Sequence, residues 1–104
     1  MKLFKYNQAM AQIVVKKLMD FPEYQSEVIV RGDSVTKHKV TIARDVYDQL
    51  TAGAVPAEKL VEESFVFLLA REPNTSIFSE FDLAVISHYF PEYVQEMKRK
   101  FESG

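Results

Sequence analysis

The sequence contains no cysteine among its 104 residues. Disulfide cross-links, thiolate metal ligands and thiol nucleophiles all need that side chain, so all three are excluded for this chain. Only three glycines are present and they are scattered, which excludes a glycine-rich loop that wraps a phosphate group. Stability must therefore come from an apolar core, and any chemistry must come from oxygen and nitrogen groups.

Long apolar runs are also missing. No stretch reaches the roughly 18 apolar residues that a membrane-spanning helix needs. After Lys2 and Lys5, the polar residues Asn7 and Gln8 interrupt any apolar segment of the kind found in a signal peptide. We therefore expect no membrane association, and a cytoplasmic location, with which the absence of cysteine is compatible.

Charge is nearly balanced, with 13 basic and 15 acidic residues and a net charge of −2. This balance argues mildly against a polyanionic partner, although a local basic patch is compatible with it. Hydrophobic residues make up 47% of the chain, including eight phenylalanines and five tyrosines, which suffices for one aromatic-rich core. We predict a single domain over residues 1–104.

Residues 56–71 have the strongest helical pattern in the chain. One stripe of this helix is formed by Leu60, Val61, Ser64, Phe65 and Leu68. Further apolar residues lie on its other sides, and a helix that is apolar nearly all round must be covered from more than one direction. We therefore predict that this helix is the centre of the fold.

Residues 24–43 predict an antiparallel hairpin whose turn is 32–34. A three-residue turn pairs Arg31 with Val35 and gathers most apolar side chains on one face, which a two-residue turn would not do. The predicted inner face carries Tyr24, Val28, Val30, Thr36, His38, Val40 and Ile42. The predicted outer face carries Ile29, Arg31, Val35, Lys37, Lys39 and Thr41.

Residues 8–20 are compatible with two structures. The spacing of Met10, Val14 and Leu18 favours a helix, with Asn7 as its N-cap and Pro22 at its end. The β-branched residues within 12–16 favour a strand instead. We predict the helix and keep the strand as the alternative.

Three more helices are predicted, over 43–52, 76–89 and 91–102. In the second of these, Ser79 and Asp82 have the spacing of a capping box. The predicted fold is thus α+β: an N-terminal helix, a two-stranded antiparallel hairpin, and four helices packed around the central helix 56–71.

The segment 38–71 resembles the ribbon–helix–helix family of DNA-binding proteins. The strand HKVTI is followed by a short helix, a turn and the longer helix PAEKLVEESFVFLLAR. In that family, strands from two chains form a ribbon whose outward side chains contact the major groove. The resemblance implies a DNA-binding regulator that uses the strand 36–42, with Lys37, Lys39 and Thr41 as the candidate nucleic-acid contacts. A preceding strand that could pair within the same chain departs from the pattern.

A second resemblance covers residues 63–93. The run ESFVFLLAREPNTSIFSEFDLAVISHYFPEY is similar to small uncharacterised bacterial proteins. It implies a bacterial source and no particular activity.

Catalytic and metal-binding patterns are weak. The two histidines, His38 and His88, have no ligand spacing around them, so each is expected to be packed, hydrogen-bonded or at an edge. The candidate carboxylates are Glu62, Glu63, Glu72, Glu80 and Asp82. Paired carboxylates become reactive only in a shared, partly buried cleft, and we expect these to be solvated or to trim helix ends.

We therefore predict no catalytic residue, no metal site and no cofactor. The expected function is a non-enzymatic protein-interaction or regulatory module, with a protein partner or a second copy of the chain as its ligand. DNA binding through the strand 36–42 is the alternative.

Overall fold

The computed structural model describes residues 11–102. Its elements in chain order are β1 (Gln12–Met19), β2 (Tyr24–Arg31), β3 (Val35–Ile42), α1 (Arg44–Thr51), α2 (Ala57–Leu69), β4 (Glu80–Asp82), α3 (Ile86–Tyr89) and α4 (Tyr93–Glu102). Short 3₁₀ turns at Asn74–Ser76 and Leu83–Val85 flank β4. The fold is a small α+β domain, but two of its elements differ from the prediction.

The predicted N-terminal helix is wrong, because residues 12–19 form strand β1. β1 pairs antiparallel to β2, with Ile13 opposite Val30 and Val15 opposite Val28. Val14, which set the helical spacing, lies with its side chain 45% exposed on the other face. The strand wins because its β-branched residues pair with an existing hairpin, which the helical spacing could not reveal. The proposed N-cap Asn7 lies outside the described residues.

The sheet has four strands, not two. Its order is β1-β2-β3-β4, and β4 is parallel to β3 whereas the other pairs are antiparallel. The chain leaves β3, forms α1 and α2, and returns through β4 along the edge of β3. In this register Lys39 lies opposite Glu80 and Thr41 opposite Asp82. The two-stranded hairpin of the prediction is therefore the middle of a larger mixed sheet.

Strand β4 also corrects the predicted helix 76–89, of which only Ile86–Tyr89 is α-helical. The Lys39 amide donates to the Ser79 carbonyl at 2.8 Å, and Phe81 is buried on the inner face. Ser79 is therefore committed to the sheet and does not cap a helix. Asp82 fills that role instead, since its carboxylate accepts from the Ala84 amide at 3.0 Å.

The predicted hairpin register is confirmed. Arg31 lies opposite Val35, and the chain turns through 32–34. All the predicted inner-face residues except the half-buried Thr36 are buried, and the outer-face residues are half-buried or exposed. Alternating apolar residues on both arms therefore determined the register without any help from the rest of the chain.

Helix α2 packs against both the sheet and α4. On its sheet side, the Phe65 ring lies 5.3 Å from the His38 ring and 6.1 Å from the Phe81 ring. On the neighbouring side, which faces α4, the Ser64 hydroxyl and the Tyr93 hydroxyl of α4 are 2.6 Å apart. α2 is thus covered from two directions, which its apolar surface requires. The predicted α1 and α4 also form, and α1 ends with Ala52 at a positive φ of 51°.

Arg71 joins the end of α2 to the start of α4. Its guanidinium carbon lies 3.6 Å from the centre of the Phe67 ring, and the group forms ion pairs with Glu92 at 3.1 Å and Glu96 at 3.2 Å. Stacking on the ring and pairing with two carboxylates hold the side chain between the end of α2 and the start of α4. Within residues 11–102, no helix has both the length and the apolar character to cross a bilayer.

Candidate functional site

An open cleft lies where the end of α2 meets β4 and α3. Its cavity volume is about 240 Å³. The cavity is lined by the end of α2, the loop that follows it, β4 and the segment 85–90. The lining residues are Leu68, Glu72, Ser76, Ile77, Phe78, Phe81, Val85, Ile86, Tyr89 and Phe90. We call this site the aromatic cleft, because four of these side chains are aromatic rings.

Two of the rings stand at the mouth of the aromatic cleft. The Phe78 side chain is 51% exposed and that of Tyr89 is 62% exposed. Their ring centres are 5.7 Å apart in an edge-to-face arrangement, and Phe78 makes a similar contact with Phe81 at 6.4 Å. Large aromatic side chains left in water beside a cavity are characteristic of binding surfaces.

Glu72 is the acidic residue of the aromatic cleft. Its carboxylate forms no hydrogen bond or ion pair with any described residue. Burial raises the pKa of the Glu72 carboxyl above its ordinary value. The cleft therefore combines a partly desolvated, unpaired negative group with four aromatic rings.

Replacing Glu72 by glutamine is expected to raise the free energy of unfolding at neutral pH. Burial raises the carboxyl pKa in the folded chain, so the folded state holds the proton more tightly than the unfolded state does. Stability therefore falls as pH rises from the unfolded pKa, about 4.3, to the higher folded pKa. A glutamine side chain does not ionise, so the variant does not lose this stability as the pH rises. Urea unfolding of the unaltered protein and of Glu72→Gln, measured at several pH values from about 4.3 upwards, would test this prediction. A higher stability of the variant that persisted below about pH 4.3 would contradict it.

The segment that carries Phe78 is held in place by Asn74. This side chain is buried and its amide nitrogen donates to the Ser34 carbonyl at 3.1 Å and to the Thr36 hydroxyl at 2.9 Å. Both acceptors belong to the hairpin end. The loop after α2 is thus anchored to β3 before it reaches the aromatic cleft.

His38 provides the second anchor. Its Nδ1 lies 2.7 Å from the Phe78 carbonyl oxygen, which can only accept, so Nδ1 carries the proton. Its Nε2 lies 2.8 Å from the Thr36 hydroxyl and accepts from it. The ring is only 3% exposed. The prediction of a packed, hydrogen-bonded histidine is confirmed for His38, whereas His88 is exposed.

The chemistry available in the aromatic cleft is that of binding. Its polar side chains are Glu72, Ser76 and Tyr89, and no histidine is among its lining residues. A hydroxyl nucleophile needs an adjacent base to activate it, and the Ser76 hydroxyl forms no hydrogen bond with a basic side chain among residues 11–102. The cleft can therefore hold an apolar or cationic group.

The remaining carboxylates do not converge on one site. Glu63 forms ion pairs with Lys59 at 3.2 Å and with Lys100 at 2.6 Å, and Glu62 lies 3.6 Å from Lys59. Asp82 accepts from the Thr41 hydroxyl at 3.0 Å. Across residues 11–102, no group of three or more histidine, aspartate or glutamate side chains has the geometry to hold a metal ion.

The candidate nucleic-acid contacts lie on the open face of the sheet. Lys37 and Lys39 are exposed there, but Thr41 is half-buried and its hydroxyl donates to Asp82. The register places Glu27 between Lys16 and Lys39, so acidic and basic side chains alternate across the strands. The face is therefore not a continuous basic patch.

The strand that resembles the ribbon of ribbon–helix–helix proteins has both edges occupied. β3 pairs with β2 along its whole length and with β4 over residues 39–41. A second chain could pair with the whole of β3 only by displacing β2 or β4, although β4 covers only residues 39–41 of that edge.

The aromatic cleft was not anticipated from the sequence. The sequence predicts one helix over 76–89, which would place Phe78 and Phe81 on a regular helix. The signal that could have indicated a site is the concentration of four aromatic residues within positions 78–90. Comparisons with protein-family models, with curated proteins and with solved structures each found no match for this chain.

Proposed function

We propose that this domain is a non-enzymatic protein-interaction or regulatory module, and that the aromatic cleft is its docking surface for a partner polypeptide. The observation that carries the proposal is the pair of exposed rings, Phe78 and Tyr89, standing over the cavity of about 240 Å³. Exposed rings of this kind act as binding anchors when a partner covers them.

The size of the aromatic cleft favours one side chain of a partner as its occupant. Sites for drug-sized ligands typically enclose about 300–1,000 Å³, which is more than this cavity offers. A single buried side chain flanked by extended backbone fits such a space, and the surrounding surface then contributes the remaining contacts. The resemblance to small bacterial proteins and the cysteine-free sequence extend the proposal to a bacterial cytoplasm.

Selection from a displayed random peptide library tests this function. We expect enriched peptides to share one anchor residue and to lose at least about tenfold in affinity for the double variant Phe78→Ser, Tyr89→Ser. Val35→Ser is the matched control, because Val35 is a large apolar residue that is 65% exposed at the hairpin turn. Peptides that bind the double variant as well as the unaltered protein would contradict docking in the aromatic cleft.

Self-association through β1 is a second form of the same proposal. β1 is an edge strand without a partner on its outer side among residues 11–102, and Val14, Leu18 and Met19 on it are 44–45% exposed. Such edges pair readily with other strands. Light scattering should then give a dimer mass that Val14→Asp returns to a monomer. A monomer at all concentrations would leave a different protein as the partner.

The ribbon–helix–helix alternative stays a prediction. Exposed Lys37 and Lys39 on one face support it, and the pairing of both edges of β3 weighs against it. DNA binding through these lysines would weaken steeply with added salt, by about one unit of log–log slope per phosphate contact. Binding that does not respond to Lys37→Ala or Lys39→Ala would rule out this surface.

A further inference from the structure

We propose that the aromatic cleft recognises a positively charged, N-methylated ammonium group, as carried by a methylated lysine side chain of the partner. The inference rests on the proposed docking function and specifies its ligand. It starts from the composition of the site, whose lining contains one carboxylate, Glu72, and four aromatic rings.

Charge complementarity favours a cation over a neutral apolar group. The faces of Phe78, Phe81 and Tyr89 carry negative potential, and a cation above such a face is attracted to it. The Glu72 carboxylate adds a full negative charge that has no partner among residues 11–102. Taking up a neutral side chain would cover this carboxylate further without compensation, whereas a cation compensates it.

The apolar character of the lining favours a methylated ammonium over an unmodified lysine, because seven of the ten lining residues are apolar and offer no side-chain hydrogen-bond acceptor. An unmodified ammonium group has three N–H donors, each of which needs an acceptor when it leaves water. The side-chain acceptors that line the cleft are Glu72, Ser76 and Tyr89, and the last of these stands at the exposed mouth. Methyl groups replace the N–H donors and add apolar surface that matches the ring faces.

The first experiment compares choline with its neutral carbon isostere, 3,3-dimethylbutan-1-ol, by NMR titration of the full chain. The two probes have nearly the same shape and differ in charge. We expect choline to bind at least about fivefold more tightly and to shift the amide signals of residues 76–90. Equal or tighter binding of the isostere would overturn the cationic ligand while leaving an apolar docking site intact. No saturable shift with choline would also overturn it.

Three variants locate the effect. Glu72→Gln should remove most of the preference for choline over the isostere. Tyr89→Leu should reduce the affinity for choline and leave the affinity for the isostere unchanged, because leucine keeps an apolar surface but has no aromatic ring. Glu80→Gln is the control, since it removes an exposed carboxylate outside the lining of the cleft. A loss of preference in Glu80→Gln equal to that in Glu72→Gln would mean that net charge, not the site, attracts the cation.

A second titration uses one of the selected peptides with lysine, trimethyllysine or the neutral tert-butyl analogue at its anchor position. Tighter binding of the trimethyllysine peptide than of both others supports the inference. Equal binding of the three peptides would contradict recognition of a methylated ammonium group and would still support the docking function. If choline binds selectively but neither the displayed library nor synthetic peptides containing trimethyllysine bind the cleft, the result supports the cation site and contradicts a protein partner.

Discussion

Replacing Phe65 by alanine is expected to lower the free energy of unfolding by about 3–5 kcal/mol. The side chain is completely buried at the middle of α2, and its ring contacts His38 of β3 and Phe81 of β4. Removing the ring leaves a cavity between the helix and the sheet that neighbouring side chains can fill only in part. The loss is a large share of the roughly 5–15 kcal/mol that stabilises a typical domain.

Urea unfolding followed by circular dichroism measures this loss. Val66→Ala is the matched control, because Val66 is the next residue on the same helix and is 44% exposed, and it should change stability by no more than about 0.5 kcal/mol. If Phe65→Ala does not fold, Phe65→Leu should show a smaller loss of about 1–2 kcal/mol. Equal stabilities for the Phe65 and Val66 variants would contradict the central position of α2.

Replacing His38 by phenylalanine is expected to cost about 2–4 kcal/mol, although the new ring is apolar and similar in size. The histidine ring satisfies two groups, the Phe78 carbonyl through Nδ1 and the Thr36 hydroxyl through Nε2. Phenylalanine can bond neither, so the partly buried Phe78 carbonyl loses its donor. The same change should weaken choline binding, because the Phe78 backbone is no longer anchored to β3.

The second histidine supplies the control for this prediction. His88→Phe alters an exposed side chain and should change stability by no more than about 0.5 kcal/mol. Nitrogen NMR of the unaltered protein provides an independent measurement, since the His38 ring should carry its proton on Nδ1. A His38 ring protonated on Nε2 alone would contradict the hydrogen bond to the Phe78 carbonyl.

The two anchors explain why a cleft can stay open on so small a domain. Apolar side chains beside a cavity tend to collapse into it, which would bury Phe78. The Asn74 amide nitrogen lies 2.9 Å from the Thr36 hydroxyl, and the His38 Nδ1 lies 2.7 Å from the Phe78 carbonyl oxygen. These two hydrogen bonds attach the loop after α2 to β3. They oppose that collapse and keep the rings of the aromatic cleft in position for a ligand.

The sequence by itself determined the elements whose information is local. The register of β2 against β3 follows from alternating apolar residues and a three-residue turn, so Arg31 opposite Val35 could be predicted without knowing the rest of the fold. The central helix could be predicted because its apolar residues lie on more than one side, which requires burial wherever the helix is placed.

Only the tertiary structure decided β1, β4 and the site. Residues 12–19 fit a helix or a strand by spacing alone, and the free edge of β2 selected the strand. Residues 80–82 are too short to predict as a strand, and they form one because the edge of β3 is available beside them. The aromatic cleft depends on that pairing, since β4 places Phe81 against α2 and leaves Phe78 and Tyr89 at the surface. A sequence pattern records the periodicity of each segment, whereas such a site arises from contacts between segments that are distant in the chain.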